Sequence, residues 1–459
     1  MENYPLGFNS KTDKYSYKSE KGLSEKLVRE ISRLKKEPKW MLSTRLLALK
    51  KYESMPIPKW GADLVEINWE DIHYYLKPVD KVYKTWDQVP DSVRKVFDAI
   101  GVPEAEKEML AGVGGQYDSE VIYHSLKSTL AKIGVVFLSM DEGLKQYPKL
   151  VKEYFGKVVP YGDNKIAALN TAVWSGGSFV FIPKGVKVDL PLQAYFRINA
   201  ENAGQFERTL IIAEEGSSVH YVEGCSAPAF TSASLHAAVV EVIVKEGAKV
   251  RYTTVQNWYK TVYNLVTKRA TVAQDAVMEW VDCNLGSKIT MKYPTCILMG
   301  ERAHGEMLSI AVAGESQHQD AGAKMIHLAP YTTSKITSKS ISKNGGRTSY
   351  RGQIKIIQTA HGARSKVVCD ALIMDPQSRS DTYPNNQILT GQATLEHEAY
   401  VSKVSEEQML YLMSRGLSAK EAEGIIIRGF LEPIIQELPM EYAVELNRLV
   451  KMEMIGSVG

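Results

Sequence analysis

Val239-Val-Glu-Val-Ile-Val244, followed through Lys245-Glu-Gly-Ala-Lys249 by Val250-Arg-Tyr-Thr-Thr-Val255, is two β-branched runs joined by a short turn. Runs of this composition, bounded by glycine and charged residues, read as strands. The turn itself recurs. Gly185-Val-Lys-Val, Gly216-Ser-Ser-Val and Gly247-Ala-Lys-Val each carry valine three positions after glycine, and these glycines stand 31 residues apart. Gly362-Ala-Arg-Ser and Gly391-Gln-Ala-Thr follow with a spacing of 29, and the 115 residues from Gly247 to Gly362 make four steps of nearly that size. Asp275, His304 and Thr333 fall at the interpolated positions. A period near 30 with strand composition and a turn residue predicts a β-solenoid, one repeat per coil. The competing reading is a large β-sandwich, but sandwich strands recur every ~8–12 residues without a longer period.

Outward from this core, the chain divides into three zones: residues 1–160, mainly helical; 161–403, the β-solenoid; and 404–459, helical again. In the first, Ser24 caps a run in which Leu27, Ile31 and Leu34 recur at helical spacing. Residues 91–100, 117–133 and 140–155 read as further amphipathic helices. In the last, Ser405-Glu-Glu-Gln408 and Ser418-Ala-Lys-Glu421 are capping boxes, and Pro439 opens a third run over 440–454. This terminal hairpin is expected to cap the open end of the solenoid or to carry a partner-binding face.

Composition narrows the function. With 56 basic and 53 acidic residues the net charge is +3, too small to argue for nucleic acid. No apolar stretch is long enough for a bilayer, and the first residues lack the basic and apolar regions of a secretory signal. Four cysteines in 459 residues make no disulfide framework and fit a reducing cytoplasm.

Two places carry candidate chemistry. Leu395-Glu396-His397-Glu398-Ala399 sets three potential ligands side by side, and Cys369 precedes them, next to Asp370. Sulfur, imidazole and carboxylate together suit iron or zinc rather than magnesium or calcium. Cys369 lies seven residues after Gly362 and Glu398 seven after Gly391, so a one-coil period gives them the same phase, ~4.8 Å apart on neighbouring coils. Strand alternation puts Glu396 and Glu398 on one face and His397 on the other. The same residues also fit a buried cysteine beside an exposed acidic strand.

Cys225, in Glu223-Gly-Cys-Ser-Ala-Pro228, is the second candidate: glycine and a proline turn make it approachable, and His220 or Arg251 nearby would lower its pKa. It fits a core cysteine equally well. Cys283 and Cys296, in apolar and aromatic company, read as core filling. Gln256-Asn-Trp-Tyr259 and Lys268-Arg269 suit either the lining of a passage or packing against the next coil. There is no Walker loop, H-E-x-x-H, C-x-x-C or G-x-S-x-G.

Several longer motifs, in order along nearly the whole chain, carry a resemblance: Glu37-Pro-Lys-Trp-Met41, Tyr195-Phe-Arg-Ile-Asn199, Tyr221–Pro228, Gln256-Asn-Trp258, Val266-Thr-Lys-Arg269, Lys324-Met-Ile-His327, Ser349-Tyr-Arg-Gly352, Cys369-Asp370, Leu395–Ala399 and Glu437–Glu445. Together they resemble the SufB/SufD family of iron–sulfur cluster assembly proteins, and within it the SufB branch. The resemblance implies a right-handed parallel β-helix with flanking helices, and a scaffold rather than an enzyme, on which a transient iron–sulfur cluster is built.

It implies Cys225 as the sulfur acceptor, with Arg197, Asn199, Gln256, Trp258 and Lys268 along an internal sulfur route. Cys369 and Glu398, with Glu396 and His397 beside them, would hold the nascent cluster. Implied partners are the ABC-type ATPase SufC at the carboxy-terminal helices, the paralogue SufD or a second SufB copy, a cysteine desulfurase with or without a sulfur carrier, and apo iron–sulfur proteins; reduced FAD in the complex is admitted by the same resemblance. On the repeat count, Cys225 and Cys369 lie about five coils, roughly 24 Å, apart. The first cysteine is Cys225, so the preceding residues offer no thiolate ligand. Competing classes are a SufD-like structural subunit without ligands and a β-helix carbohydrate-active enzyme, which would need a lengthwise groove lined by Asp, Arg or Lys.

Overall fold

The computed structural model describes residues 15–78, 110–227 and 233–436. Its core is a β-solenoid of about eight coils, each supplying strands to two sheets. The first sheet runs from Leu192–Arg197 through Ser218–Ser226, Lys249–Trp258, Val277–Gly286, His304–Ala313, Thr333–Ser342 and Arg364–Ile373 to Thr394–Lys403, every neighbour parallel. The second runs from Ser178–Ile182 through Arg208–Ala213, Val239–Val244, Val262–Val272 and the pair Ile289–Lys292 and Thr295–Leu298 to His318–His327, Arg347–Ile356 and Arg379–Ile388.

The expected turn position is real. Gly185, Gly216 and Gly247 have φ of +71°, +64° and +64°, a left-handed conformation that glycine adopts without steric cost. Their N–H groups bond to the next coil: Gly185 to Glu215 O (2.8 Å), Gly216 to Glu246 O (2.8 Å) and Gly247 to Gln274 O (2.9 Å). Asp275 continues the row (φ +54°), as interpolated. Thereafter the row passes to Arg302 (φ +59°) and Tyr331 (φ +56°), so His304 and Thr333 lie two residues beyond it, at strand starts.

The last coil corrects the phase of the metal candidates. The strand Arg364–Ile373 begins two residues after Gly362, but Thr394–Lys403 begins three after Gly391, and Gly391 is not among the glycines with positive φ. One extra residue in the turn shifts the register by one, so Cys369 stands beside Ala399 and Glu398 beside Val368. A one-residue shift exchanges the two faces of a strand. Cys369 and Glu398 therefore face opposite ways.

The amino-terminal zone is less helical than its pattern suggests. Helices Glu25–Lys35 and Lys39–Ser54 form as expected, the first capped by Ser24 Oγ accepting from Leu27 N. Residues 117–133, expected as a helix, instead complete the hairpin of Gly112–Tyr117 and Glu120–Leu126, with helix only over Ser128–Lys132. Both hairpin strands lie in the first sheet, Gly112–Tyr117 beside Leu192–Arg197. Val121, Ile122 and Tyr123 are all buried, so this apolar run has no solvent face to give it helical amphipathicity. Residues 140–155 form two short helices, Met140–Gln146 and Pro148–Tyr154, divided before Pro148. The helices expected over 91–100 and 440–454 lie outside the described residues.

Buried charges clamp this zone to the solenoid. Glu241, on Val239–Val244, accepts hydrogen bonds from the backbone N–H groups of Gly156, Val158 and Val159, each at 2.9 Å, and pairs with Arg208; neither side chain is exposed. Arg45 pairs with Glu37 at 2.6 Å and donates to Ala172 O and Trp174 O.

At the other end, the helix Ala419–Ile435 lies along the flank of the first sheet. Its Ile427, Leu431 and Ile435 pack with Val255, Val281, Cys283, Ile310 and Leu372. Among the described residues this helix leaves the last coil uncovered, with Tyr400 and Val401 61% and 57% exposed. Among the described residues, no helix is long and apolar enough to cross a membrane.

Candidate functional site

Alternate residues of every strand point into the solenoid, where they form one core: Tyr221, Tyr252, Trp280, Met307, Ile336 and Val367 from the first sheet face Val242, Ala270, Leu298, Met325 and Ile354 from the second. Polar residues interrupt this interior in adjacent rows. Strand register aligns Glu223, Thr254, Asp282, Ser309, Ser338 and Cys369 on six successive coils. All six are buried. The row beside it carries Cys225, Gln256, Asn284, Ala311, Ser340 and Ala371. Five steps thus separate the coil of Cys225 from that of Cys369, as counted from the repeats.

The charged part of this seam surrounds Cys225, whose Sγ donates to Glu223 Oε1 at 3.6 Å. Glu223 Oε2 accepts from the Tyr252 hydroxyl. Lys268 lies 3.7 Å from Glu223 and 3.5 Å from Asp282, and bonds Thr254 Oγ1. Lys292 pairs with Asp282 at 3.2 Å and donates to Gln256 Oε1 at 3.2 Å. Gln256 Oε1 also accepts from Asn264 Nδ2 (2.8 Å).

His236 closes the network, with Nε2 at 2.7 Å from Glu207 Oε1 and Nδ1 at 2.7 Å from Asn264 Oδ1, its ring 4.7 Å from that of Trp258. Both of its partners are acceptors, so both ring nitrogens donate and the imidazole is cationic. Burial opposes this charge, but Glu207 together with Asn264 and Glu223 outweighs it and raises the His236 pKa. Three carboxylates, Glu207, Glu223 and Asp282, thereby balance Lys268, Lys292 and His236, the pairing that buried charges require.

Cys225 does not have the environment expected for it. His220 and Arg251 pair with each other across strands and sit one residue out of phase with Cys225, on the opposite face. His220 bonds Thr253 Oγ1 (2.9 Å) and Arg251 pairs with Glu279 (2.6 Å). Burial, reinforced by Glu223 and Glu207, instead raises the Cys225 pKa well above that of a free thiol. Deprotonation therefore needs a local acceptor, and Glu223 Oε1 is in place.

Of the other expected route residues, Gln256, Trp258 and Lys268 are buried in the lumen near Cys225. Arg197 is level with Ser226, on the face away from Cys225, and donates to Ser226 Oγ at 3.1 Å. Asn199 follows the same strand, its N–H bonded to Asp118 Oδ1 (2.7 Å). Sequence reasoning missed Glu207, Glu223, His236, Asp282 and Lys292. Glu223 was legible, since it stands two residues from Cys225 on one strand and must share its face.

At the far end, Cys369 is 5% exposed and belongs to the lumen core. Burial pushes its thiol up to about 12, against a smaller opposing effect of the Tyr350 hydroxyl. Glu396 and Glu398 point outward to Lys366, at 3.3 and 3.7 Å. His397 pairs in register with the buried Val367, so it, and not Glu398, shares the face of Cys369. Cys283 and Cys296 are fully buried, as core filling requires.

The raised Cys369 pKa has a direct test. Relative to an ordinary thiol near 9.0, its thiolate fraction at neutral pH is smaller by about a thousandfold. Alkylation of Cys369 in the folded chain is expected to rise tenfold per pH unit through 9 and beyond, as followed by mass spectrometry. Levelling off near pH 9 would contradict the raised value. The sign for stability is negative: above pH 9 the unfolded thiol ionises first, so this group favours unfolding between pH 9 and about 12.

Comparison with known proteins decides the family. Residues 196–430 match the model described as "SUF system FeS cluster assembly, SufBD core domain", and residues 26–194 match "SufBD protein N-terminal region". The chain belongs to the SufBD family. It is 59% identical over 456 residues to an iron–sulfur cluster assembly SufBD family protein of Staphylococcus aureus (strain USA300), covering 99% of this chain and 98% of that one. The same figures hold for a SufBD family protein of Staphylococcus haemolyticus (strain JCSC1435). As a SufBD protein it takes part in iron–sulfur cluster assembly, and the polar seam lies within the matched core.

Proposed function

We propose that this chain is the SufB-type scaffold of the SUF system, taking in sulfur at Cys225 and building a cluster at the end where Cys369 lies. The observation that carries the reading is the buried polar row from Glu223 to Cys369, running the length of the solenoid interior between those two residues. Sulfane sulfur is easily reduced or oxidised in solvent, and a route along the buried Gln256, Trp258, Lys268, Ser309 and Ser338 would keep it out of solvent.

In the first step a donor persulfide meets Cys225. Glu223 takes the thiol proton, the sulfur of Cys225 attacks the outer sulfur of the persulfide, the S–S bond breaks, and the donor leaves as its thiolate. The donor is a cysteine desulfurase, with or without a carrier. At the far end the cluster is cargo, held by Cys369 together with His397, Glu396 and Glu398. Because Glu398 faces away from Cys369 in the closed coil, both can ligate only if the last coil opens.

An ABC-type ATPase of the SufC kind, seated on the carboxy-terminal helices, would supply that opening, and SufD or a second copy of this chain would cover the last coil. The helices present Leu410, Tyr411 and Ile425 at 66%, 58% and 49% exposure, a face suited to such a partner. Nucleotide is then expected to increase thiol labelling of Cys369 in the full complex; unchanged labelling would remove the ATPase from this step.

The function itself is tested by anaerobic reconstitution of the complex with ferrous iron and sulfide, read by absorption and Mössbauer spectroscopy. Cys369→Ser is expected to reduce cluster yield to background. Wild-type yield from that variant would favour a SufD-like subunit without ligands.

A further inference from the structure

Glu207, Glu223 and Cys225 share a property that sulfur acceptance does not require. One ligand atom from each, two carboxylate oxygens and Sγ, lie within 4.8 Å of one another, and all three residues are buried. They come from two places: Glu207 just ahead of Arg208–Ala213, and Glu223 with Cys225 on Ser218–Ser226. Three atoms no farther apart than 4.8 Å leave a point within about 2.8 Å of all of them. Closing to the ~2.0–2.3 Å of metal–oxygen and metal–sulfur bonds moves each side chain by well under 1 Å.

A second observation points to a ligand. Glu207 is 0% exposed, its Oε1 is held by His236, and its Oε2 has no hydrogen-bond partner among the described residues. A buried carboxylate oxygen with no donor is costly to maintain. Burial raises the pKa of Glu207, although His236 opposes it. The surroundings hold the triad in place: His236 fixes Glu207, Tyr252 fixes Glu223, and Lys268, itself held by Thr254 and Asp282, stands 3.7 Å from Glu223 Oε1.

We propose that Glu207, Glu223 and Cys225 form a binding site for one divalent transition-metal ion inside the solenoid, about five coils from Cys369. Two carboxylates with one thiolate select a borderline cation such as Fe(II), Zn(II) or Co(II) over magnesium or calcium. Coordination releases the thiol proton and occupies the sulfur of Cys225, so metal and sulfane sulfur exclude each other at this position. The site stands on this geometry alone and does not depend on Cys225 being the sulfur acceptor.

Anaerobic titration of the purified full chain with Co(II) provides the test, because cobalt–thiolate charge transfer reports sulfur ligation directly. One equivalent should bind with a charge-transfer band that persists in Cys369→Ser and disappears in Cys225→Ser. Glu207→Gln, which keeps the shape and an acceptor for His236, should weaken binding at least tenfold in a variant that circular dichroism shows to be folded, even if the lost buried charge lowers its melting point. No band in the wild type, a band surviving in Cys225→Ser, or wild-type affinity in Glu207→Gln would overturn the site. Persulfide transfer to Cys225, assayed separately in metal-free buffer, decides the sulfur-acceptor reading whatever the cobalt result.

Discussion

Replacing Cys225 by serine is expected to abolish desulfurase-driven sulfur loading of this chain while sparing cluster formation from free iron and sulfide. Serine fills nearly the same volume, so the lumen stays intact, but its hydroxyl cannot form a persulfide. Sulfur bound after incubation with the donor, quantified by mass spectrometry, should fall to the background set by Cys283, Cys296 and Cys369. Glu223→Gln separates the roles further. It keeps the thiol but removes the carboxylate that accepts its proton, and loss of a general base costs roughly 10²–10⁴ in rate. If Cys225→Ser loads sulfur like the wild type, the entry point lies elsewhere. If Glu223→Gln loads at the wild-type rate, the 3.6 Å thiol–carboxylate contact is only structural.

Part of this site was legible in the sequence, for a physical reason. Gly185, Gly216 and Gly247 advertise the period because each occupies the left-handed turn position that disfavours other residues. Where Asp275, Arg302 and Tyr331 accept that strain instead, the signal fades although the coil persists. At Gly391 a turn carries one residue more, and counting from glycine turned a correct neighbour, Glu398 on the coil after Cys369, into a wrong facing. The hairpin over Gly112–Leu126 was misread because a strand buried on both sides lacks the alternation that marks a half-exposed one. The charged lumen was hidden for the opposite reason. Glu223, Asp282 and Lys292 look like surface residues until both sheets place them inside.

Glu241→Ala is expected to be the most destabilising single change on the outer wall. It strands the Arg208 guanidinium in a site without solvent exposure and leaves the N–H groups of Gly156, Val158 and Val159 without an acceptor. Removing one partner of a buried pair costs about 3–5 kcal/mol, and each orphaned donor adds to it. Denaturant unfolding should show the midpoint lowered accordingly, and limited proteolysis should cut first near residues 155–160. Glu241→Gln keeps an acceptor without the charge and should fall between. A change below about 1 kcal/mol for the alanine variant would mean that water replaces the carboxylate.

The stacking of coils has a kinetic side. In a solenoid each repeat is stabilised chiefly by its neighbours, so the array behaves as a one-dimensional chain that melts from its ends. The final coil, with Arg379–Ile388 and Thr394–Lys403 as outermost strands, has a neighbour on one side only. Amide hydrogen exchange should therefore run as a gradient, fastest over the last coil and slowing toward Lys249–Trp258. Cys369 lies one coil from this fraying end, whereas Cys225 lies deep in the slow part. On the proposed roles, spontaneous breathing of the stack would give intermittent access to Cys369, whereas a donor reaching the buried Cys225 would need an opening that end-fraying does not supply, a division of dynamics set by position along the stack.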